Sequence, residues 1–154
     1  DYMGKAAKQV VTYCIRNDIG TLIVGYNTTF QRSSDLGRRM NQVFVGIPFG
    51  ILRRKLKYLC EMNGIRYVEQ EESYTSMASF WDLDEMPVYG EAGLVPPVFS
   101  GRRICRGLYQ DRSGRRINAD VNGALNIMRK CNIVSLRALY ARGDVDTPVR
   151  IRIA

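Results

Sequence analysis

Histidine is absent from the chain, and its four cysteines, Cys14, Cys60, Cys105 and Cys131, stand singly with no C-x-x-C pair among them. A structural zinc site draws four thiolate or imidazole ligands from close-spaced pairs, so no zinc is expected. Isolated cysteines of this kind behave as small apolar residues and are expected to be buried and reduced. Without imidazoles or paired thiols, metal–carboxylate chemistry is the hydrolytic option that the composition supports. No stretch approaches the roughly 18 uninterrupted apolar residues of a membrane helix. No signal-peptide pattern opens the chain, which begins with Asp1 rather than Met. The expected setting is the cytoplasm, with no membrane partner, and the chain is expected to be a portion of something longer. Internal repeats and low-complexity segments are also absent.

What is present is an ordinary globular composition, 45% hydrophobic and 25% charged, with the charge unevenly placed. Basic and acidic residues balance over 1–100, so the net charge of +8 arises wholly within 101–154. Between 69 and 91 there are seven acids (Glu69, Glu71, Glu72, Asp82, Asp84, Glu85 and Glu91) and no Lys or Arg. Arg102, Arg103, Arg106, Arg112, Arg115 and Arg116 follow. An acidic stretch beside an arginine-rich one suits a metal site next to a phosphate-binding surface. It equally suits two solvated faces of opposite sign that pair with each other.

Hydrophobic spacing predicts a helix over 2–16, with Met3, Ala6, Ala7, Val10, Val11 and Cys14 on one stripe and Asp1 as its cap. Asn17 to Gly20 breaks it. Thr21 to Tyr26 is a continuous β-prone run, the mark of a parallel strand buried on both faces. Residues 27–46 read as a loop with an irregular segment. A second helix is predicted from Pro48 to about Met62, with Phe49, Leu52, Leu56 and Leu59 inward and Asn63-Gly64 as its stop. A second strand follows over 65–70, parallel to the first because a helix links them. This β-α-β order predicts an α/β sheet.

Residues 77–117, with Pro87, Pro96 and Pro97, read as an irregular insertion in which Ile104–Tyr109 forms a strand and Arg112–Arg116 a turn. A last helix is predicted from about Asp120 to Cys131, with Val121, Ala124, Leu125 and Met128 toward the core. The tail alternates Val149, Ile151 and Ile153 with Arg150 and Arg152, as a short edge strand or a disordered end would.

Asp120 enters that last helix beside small residues and borders its packed face, where a carboxylate is costly unless it binds a cation or a donor. Capping the helix is the other reading of the same position. Glu71 and Glu72 close the second strand, at the end where α/β sheets place their sites; side-chain alternation lets only one of them face Asp120. Two such carboxylates brought together would bind Mg²⁺ or Mn²⁺, hard cations that favour oxygen ligands.

Several strings resemble one branch of the TnpB (OrfB) family of transposon-encoded, RNA-guided DNA nucleases. Ile19 to Asn27 is similar to its IGTLVIGxN strand, and Gln70 to Ser76 with Ala78-Ser79-Phe80 to its QEESYTSK-x-SF motif. Gly101 to Tyr109 is similar to GKRIxRGLY, and Ile117 to Lys130 to INADVNGAxNIxRK. The strings occur in the family's order over residues 1–131; the tail is not covered.

The resemblance implies a partial RNase H-like (RuvC) fold that lacks its first strands. Its helix-strand-helix-strand part would span 1–76, a nucleic-acid-binding insertion 77–117, the C-terminal RuvC helix 118–131 and a tail 132–154. It implies Asp120 as the last catalytic acid. The family's strand Glu is replaced here by Gly25, so Glu72 is favoured as its substitute, with Glu71 in reserve. Asp120 and Glu72 would hold Mg²⁺ or Mn²⁺. The insertion's arginines and Lys130 would contact a DNA target and a guide RNA in a prokaryotic, nucleoid-associated setting. Three departures accompany the match. The family's first catalytic Asp would lie upstream of residue 1, Met77 replaces a Lys, and the paired zinc-ribbon cysteines are missing. The expectation is therefore no cleavage by this polypeptide alone. The alternatives are a nuclease-inactive binding relic, or a structural fragment that dimerises through an open sheet edge.

Overall fold

The computed structural model describes residues 1–27, 48–91, 93 and 95–153. Apart from Asn27, the loop expected over 27–46 lies outside them. The chain divides into two compact units, one of residues 1–69 with 151–154, the other of residues 70–150.

In the first unit, helix α1 (Tyr2–Arg16) and helix α2 (Phe49–Met62) alternate in sequence with strands β1 (Thr21–Tyr26) and β2 (Arg66–Glu71), each helix preceding its strand. The two strands are hydrogen-bonded neighbours. Arg66 N donates to Gly20 O at 2.9 Å, which sets the two strand beginnings side by side, as in a parallel pair. The helices pack on each other through Ala7, Val11, Cys14, Leu56 and Cys60, with Ile65 closing the cluster and Leu22, Val24 and Tyr67 of the strands against it. β1 is half-buried along its whole length rather than buried on both faces. α2 takes Pro48 as its N-cap, and its deepest residue is Cys60, fully buried, whereas Phe49 is 48% exposed. Burial pushes the Cys14 and Cys60 thiols upward, which keeps both protonated. Cys105 and Cys131 depart from the expected burial, the first exposed and the second intermediate; all four are free thiols.

The second unit is built on strands β3 (Arg102–Cys105), β4 (Leu108–Gln110) and β5 (Arg116–Asn118), antiparallel in the order β3-β4-β5, followed by helix α3 (Ala119–Cys131). The single strand expected over 104–109 is instead a hairpin that reverses at Arg106-Gly107, where Gly107 has φ +80°. Gly101 is required for another reason. A Cβ there would lie 2.6 Å from Gln110 O and 2.6 Å from the Tyr109 ring.

Phe80, Tyr109, Ile117, Ala119 and Leu125 form the core of this unit, bordered by Trp81, Leu136, Leu139 and Tyr140. Leu136, Leu139 and Tyr140 belong to, or cap, a short helix α4 (Arg137–Arg142) in the expected tail; none of the described residues after it forms a strand. Tyr140 stacks on Phe80 with ring centroids 4.8 Å apart and donates its hydroxyl to Phe80 O at 3.2 Å. A period-2 reading of the tail could not show this contact.

The irregular stretch before β3 is held by carboxylates that accept main-chain amides. Asp84 Oδ2 accepts from Ser79 N at 2.8 Å and Ser100 N at 2.9 Å. Asp82 Oδ2 accepts from Arg112 N at 2.9 Å; in the turn between β4 and β5, Asp111 Oδ1 likewise accepts from Arg115 N at 2.7 Å. Tyr109 anchors the same stretch by donating its hydroxyl to Met77 O at 2.7 Å. Burial, reinforced by Asp84, Asp82 and Asp111, pushes that phenol up to about 12. Since acids and amides rather than thiolates staple the segment, dialysis against EDTA should leave the thermal unfolding of the chain unchanged. A lowered Tm in EDTA would reveal a structural metal.

Candidate functional site

β2 ends at Glu71, and the chain then turns sharply through Tyr74, which has φ +63°. The turn is closed by Thr75, whose amide and hydroxyl both donate to Glu72 O, at 3.2 and 2.9 Å. The Glu71 carboxylate is engaged on both oxygens. Oε2 accepts from Lys130 Nζ at 2.6 Å, and Oε1 accepts from the amide and hydroxyl of Ser73. Burial by itself would push this carboxyl up. The Lys130 ammonium and the two Ser73 donors together outweigh it and hold the group below the ordinary carboxylate value. Glu72, the next residue, is half-buried.

Asp120 sits elsewhere than expected. Asn118 caps α3, its Oδ1 accepting from Asp120 N at 2.9 Å and Val121 N at 3.1 Å. Asp120 is therefore neither the cap nor part of the packed face. It is exposed in the first turn, with no side-chain partner among the described residues. A helix N-terminus tolerates a carboxylate there because the unpaired amides carry partial positive charge.

The buried face of α3 also differs from the apolar stripe expected. Val121 and Met128 are only half-buried and Ala124 is exposed, whereas Asn122 and Asn126 are completely buried. Asn122 accepts from Phe80 N at 3.1 Å and donates to Ala78 O at 2.9 Å. Asn126 donates to Thr75 O at 2.9 Å and to Ala78 O at 2.8 Å. Arg129 donates to Asp84 O at 2.5 Å. With Lys130 on Glu71, these residues fall at i, i+4, i+7 and i+8, one helical face that clamps the 71–84 segment. Sequence reasoning missed the three clamp residues Asn122, Asn126 and Arg129. The signal available was a pair of carboxamides at helical spacing, four residues apart.

The basic residues divide in two. Arg112 donates to Ser100 Oγ at 2.8 Å, and Arg115 reaches Gly143 O at 3.1 Å while lying 4.6 Å over the Trp81 ring. Arg102, Arg103, Arg106 and Arg116 are exposed, and their side chains form no hydrogen bond or ion pair among the described residues.

A divalent cation needs several convergent oxygen ligands. Among the described residues no three of Asp, Glu, Cys or His come together in a way that could hold one. Glu71, moreover, is neutralised by an ammonium. The described residues alone do not fit a complete metal centre.

No helix among the described residues is long and apolar enough to cross a membrane. Residues 49–127 match the family model described as Cas12f1-like, TNB domain. Among solved structures the chain is similar to one described as the cryo-EM structure of the Cas12f1-sgRNA-target DNA complex. The match has a TM-score of 0.52 and 18% identity, and covers 81% of this chain and 32% of that one. This chain thus spans about a third of that protein's length, and the likeness is one of mixed α/β fold. No curated protein matches the chain.

Proposed function

Because the chain belongs to the Cas12f1-like, TNB-domain family of TnpB- and Cas12-related nucleases, we propose that it is a nucleic-acid-gripping portion of a transposon-encoded, RNA-guided DNA endonuclease. In this reading its β-α-β unit and α3 belong to a partial RuvC-like fold, and its partners are a guide RNA and a DNA target. The observation that carries the reading is the sorting of charge in residues 70–150. Four arginines stand exposed around the β3–β5 sheet without an ion-pair partner among the described residues, and an exposed Asp120, likewise without one among them, lies in the first turn of the helix that follows.

Asp120 and Glu72 are the acids proposed for the reaction. Glu71 acts through Lys130 and Ser73 as a brace at the end of β2. When bound, Mg²⁺ or Mn²⁺ would supply water activation and charge neutralisation in phosphodiester cleavage. The remaining ligands have to come from outside the described residues. The chain by itself is accordingly expected to bind single-stranded DNA with strong salt dependence and to leave it uncut. Failure to bind at low ionic strength would sink the proposal. In an assembly with guide and target, Asp120→Ala should reduce cleavage to background while leaving target binding intact.

A second reading, a binding module that cuts nothing, is favoured by the lack of convergent metal ligands among the described residues. Cleavage by that assembly in Mg²⁺ or Mn²⁺, sensitive to Asp120→Ala, would exclude it.

A further inference from the structure

Helices α1 and α2 carry more apolar surface than their shared core uses. On α2, Leu56 and Cys60 are buried in that core, whereas Ile51, Tyr58 and Met62 are 39%, 61% and 65% exposed. With Lys55 these three fall at i, i+4, i+7 and i+11, a second stripe along the outer side of the same helix. On α1, Val11 and Cys14 are buried and Ile15 is left 53% exposed. The two helices border an open groove of about 530 Å³, with Val11 and Leu59 as its floor and Ile15 and Tyr58 as its walls. Neighbouring exposed apolar side chains of this kind mark a surface that a partner covers.

Charge at the groove is of one sign. Lys8 and Lys55 line it, and none of its lining residues is an acid. Lys8 is exposed and has no ion-pair partner among the described residues. Lys55 Nζ meets Asp1 Oδ2 at 2.7 Å, in a pair whose side chains are 38% and 59% exposed. Gly4 leaves room for that pair, since a Cβ there would lie 3.1 Å from Asp1 Oδ2 and 3.5 Å from Lys55 Nζ. An exposed pair of this kind is weak, and another carboxylate can take its place. Between Gly4 and Ile15 the groove follows α1 for about 16 Å, roughly three helical turns.

We infer that this groove docks an acidic amphipathic helix of a protein partner. Aliphatic side chains of that helix at i, i+3 or i+4, and i+7 fill the apolar walls, and its carboxylates meet Lys8 and Lys55. Two ammonium groups over an aliphatic floor are too few to hold a polyanion, which binds through many phosphates. A second copy presenting the same face would set lysine against lysine. The docking surface is independent of the nucleic-acid reading above.

The test follows the anisotropy of a labelled synthetic helix of Leu and Glu, with its leucines on one face, as the full chain is added. A peptide with every Glu replaced by Lys, and one with the Leu/Glu order scrambled, serve as controls. The Glu helix should bind at least tenfold more tightly than either control. Ile15→Gln/Tyr58→Gln leaves the charge unchanged and should weaken that binding about tenfold. Lys8→Glu should weaken it about fivefold at low salt and less at high salt. All three side chains are exposed, so both variants should melt like the parent, and the double Gln variant should keep the parent's affinity for single-stranded DNA. Should the double variant fail to fold, Lys8→Glu and the two control peptides still decide the matter. Equal binding of the Glu and Lys helices, no binding of the Glu helix, or unchanged binding in a folded double variant overturns the inference. Displacement of the peptide by single-stranded DNA also overturns it, making the groove a nucleic-acid face. A dimer of the chain that Ile15→Gln/Tyr58→Gln dissociates overturns it too, with a second copy as the occupant.

Discussion

Replacing Asp84 by Ala should cost about 4 kcal/mol of stability in residues 70–150, on the scale of 1.5–3 kcal/mol for each hydrogen bond to a charged acceptor. Asp84 is only 8% exposed, and its Oδ2 is the acceptor for both Ser79 N and Ser100 N. Truncation strands two amides, at the two ends of the segment that Asp84 ties together. A loss of this size is a large part of the 5–15 kcal/mol that holds a typical domain. Trp81 is the chain's one tryptophan and packs against Phe80 and Tyr140, so its fluorescence in urea reports this unit selectively. Asp84→Asn keeps an acceptor oxygen in place and should lose less than half as much. If Asp84→Ala moved the stability by under about 1 kcal/mol, the carboxylate staple would have been misjudged.

Lys130→Met should be the next most damaging change. The Lys130 and Glu71 side chains are 11% and 18% exposed and meet at 2.6 Å. Removing the ammonium leaves a largely buried carboxylate supported by Ser73 alone. Breaking such a pair from one side costs about 3 kcal/mol or more. The pH dependence has a definite sign. The folded Glu71 carboxyl lies below its ordinary value of 4.5, so its stabilisation is fully present above that value. It is lost as pH falls through the folded value. Urea midpoints from about pH 6 down to pH 3 should show this acid-side loss in the parent and a flatter profile in Lys130→Met. A parallel profile in both would place the titration on another group. The same ion pair bears on the sequence expectation of Lys130 as a nucleic-acid contact, since its ammonium is already committed to Glu71 and Ser73 O.

The helices over 2–16 and 49–62 and the strands at 21–26 and 66–71 were legible in the sequence, because each carries one unbroken local pattern. Cys60 was harder to place because cysteine carries little periodic signal, yet it is the most buried residue of α2. The 77–117 stretch resisted reading for a different reason. Its order comes from Asp82, Asp84 and Asp111 accepting amides, some from distant residues, and a carboxylate in a sequence looks solvated until its donor is known. The Ile104–Tyr109 strand failed at Gly107, whose positive φ turns an apparently continuous run into a hairpin. The α4 helix escaped because Leu136, Leu139 and Tyr140 are ordered by packing on Phe80 and its neighbours, contacts some sixty residues away in sequence.

Asp120 shows where local sequence and tertiary structure divide the work. The sequence determined that an acid opens a helix there, because Asn118, Ala119 and the following periodicity specify the start of α3. It also determined the chemistry on offer, acids and arginines without imidazole. Only the tertiary structure decided which face of α3 is buried. Asn122, Asn126, Arg129 and Lys130 find main-chain and carboxylate partners on the 71–84 segment, so a polar stripe turns inward and Asp120 is left outward. The same pairing commits Glu71, which strand alternation alone could not separate from Glu72. The physical reason is common to both cases. A polar group can be buried when its partner is waiting, and those partners lie more than forty residues away in the chain.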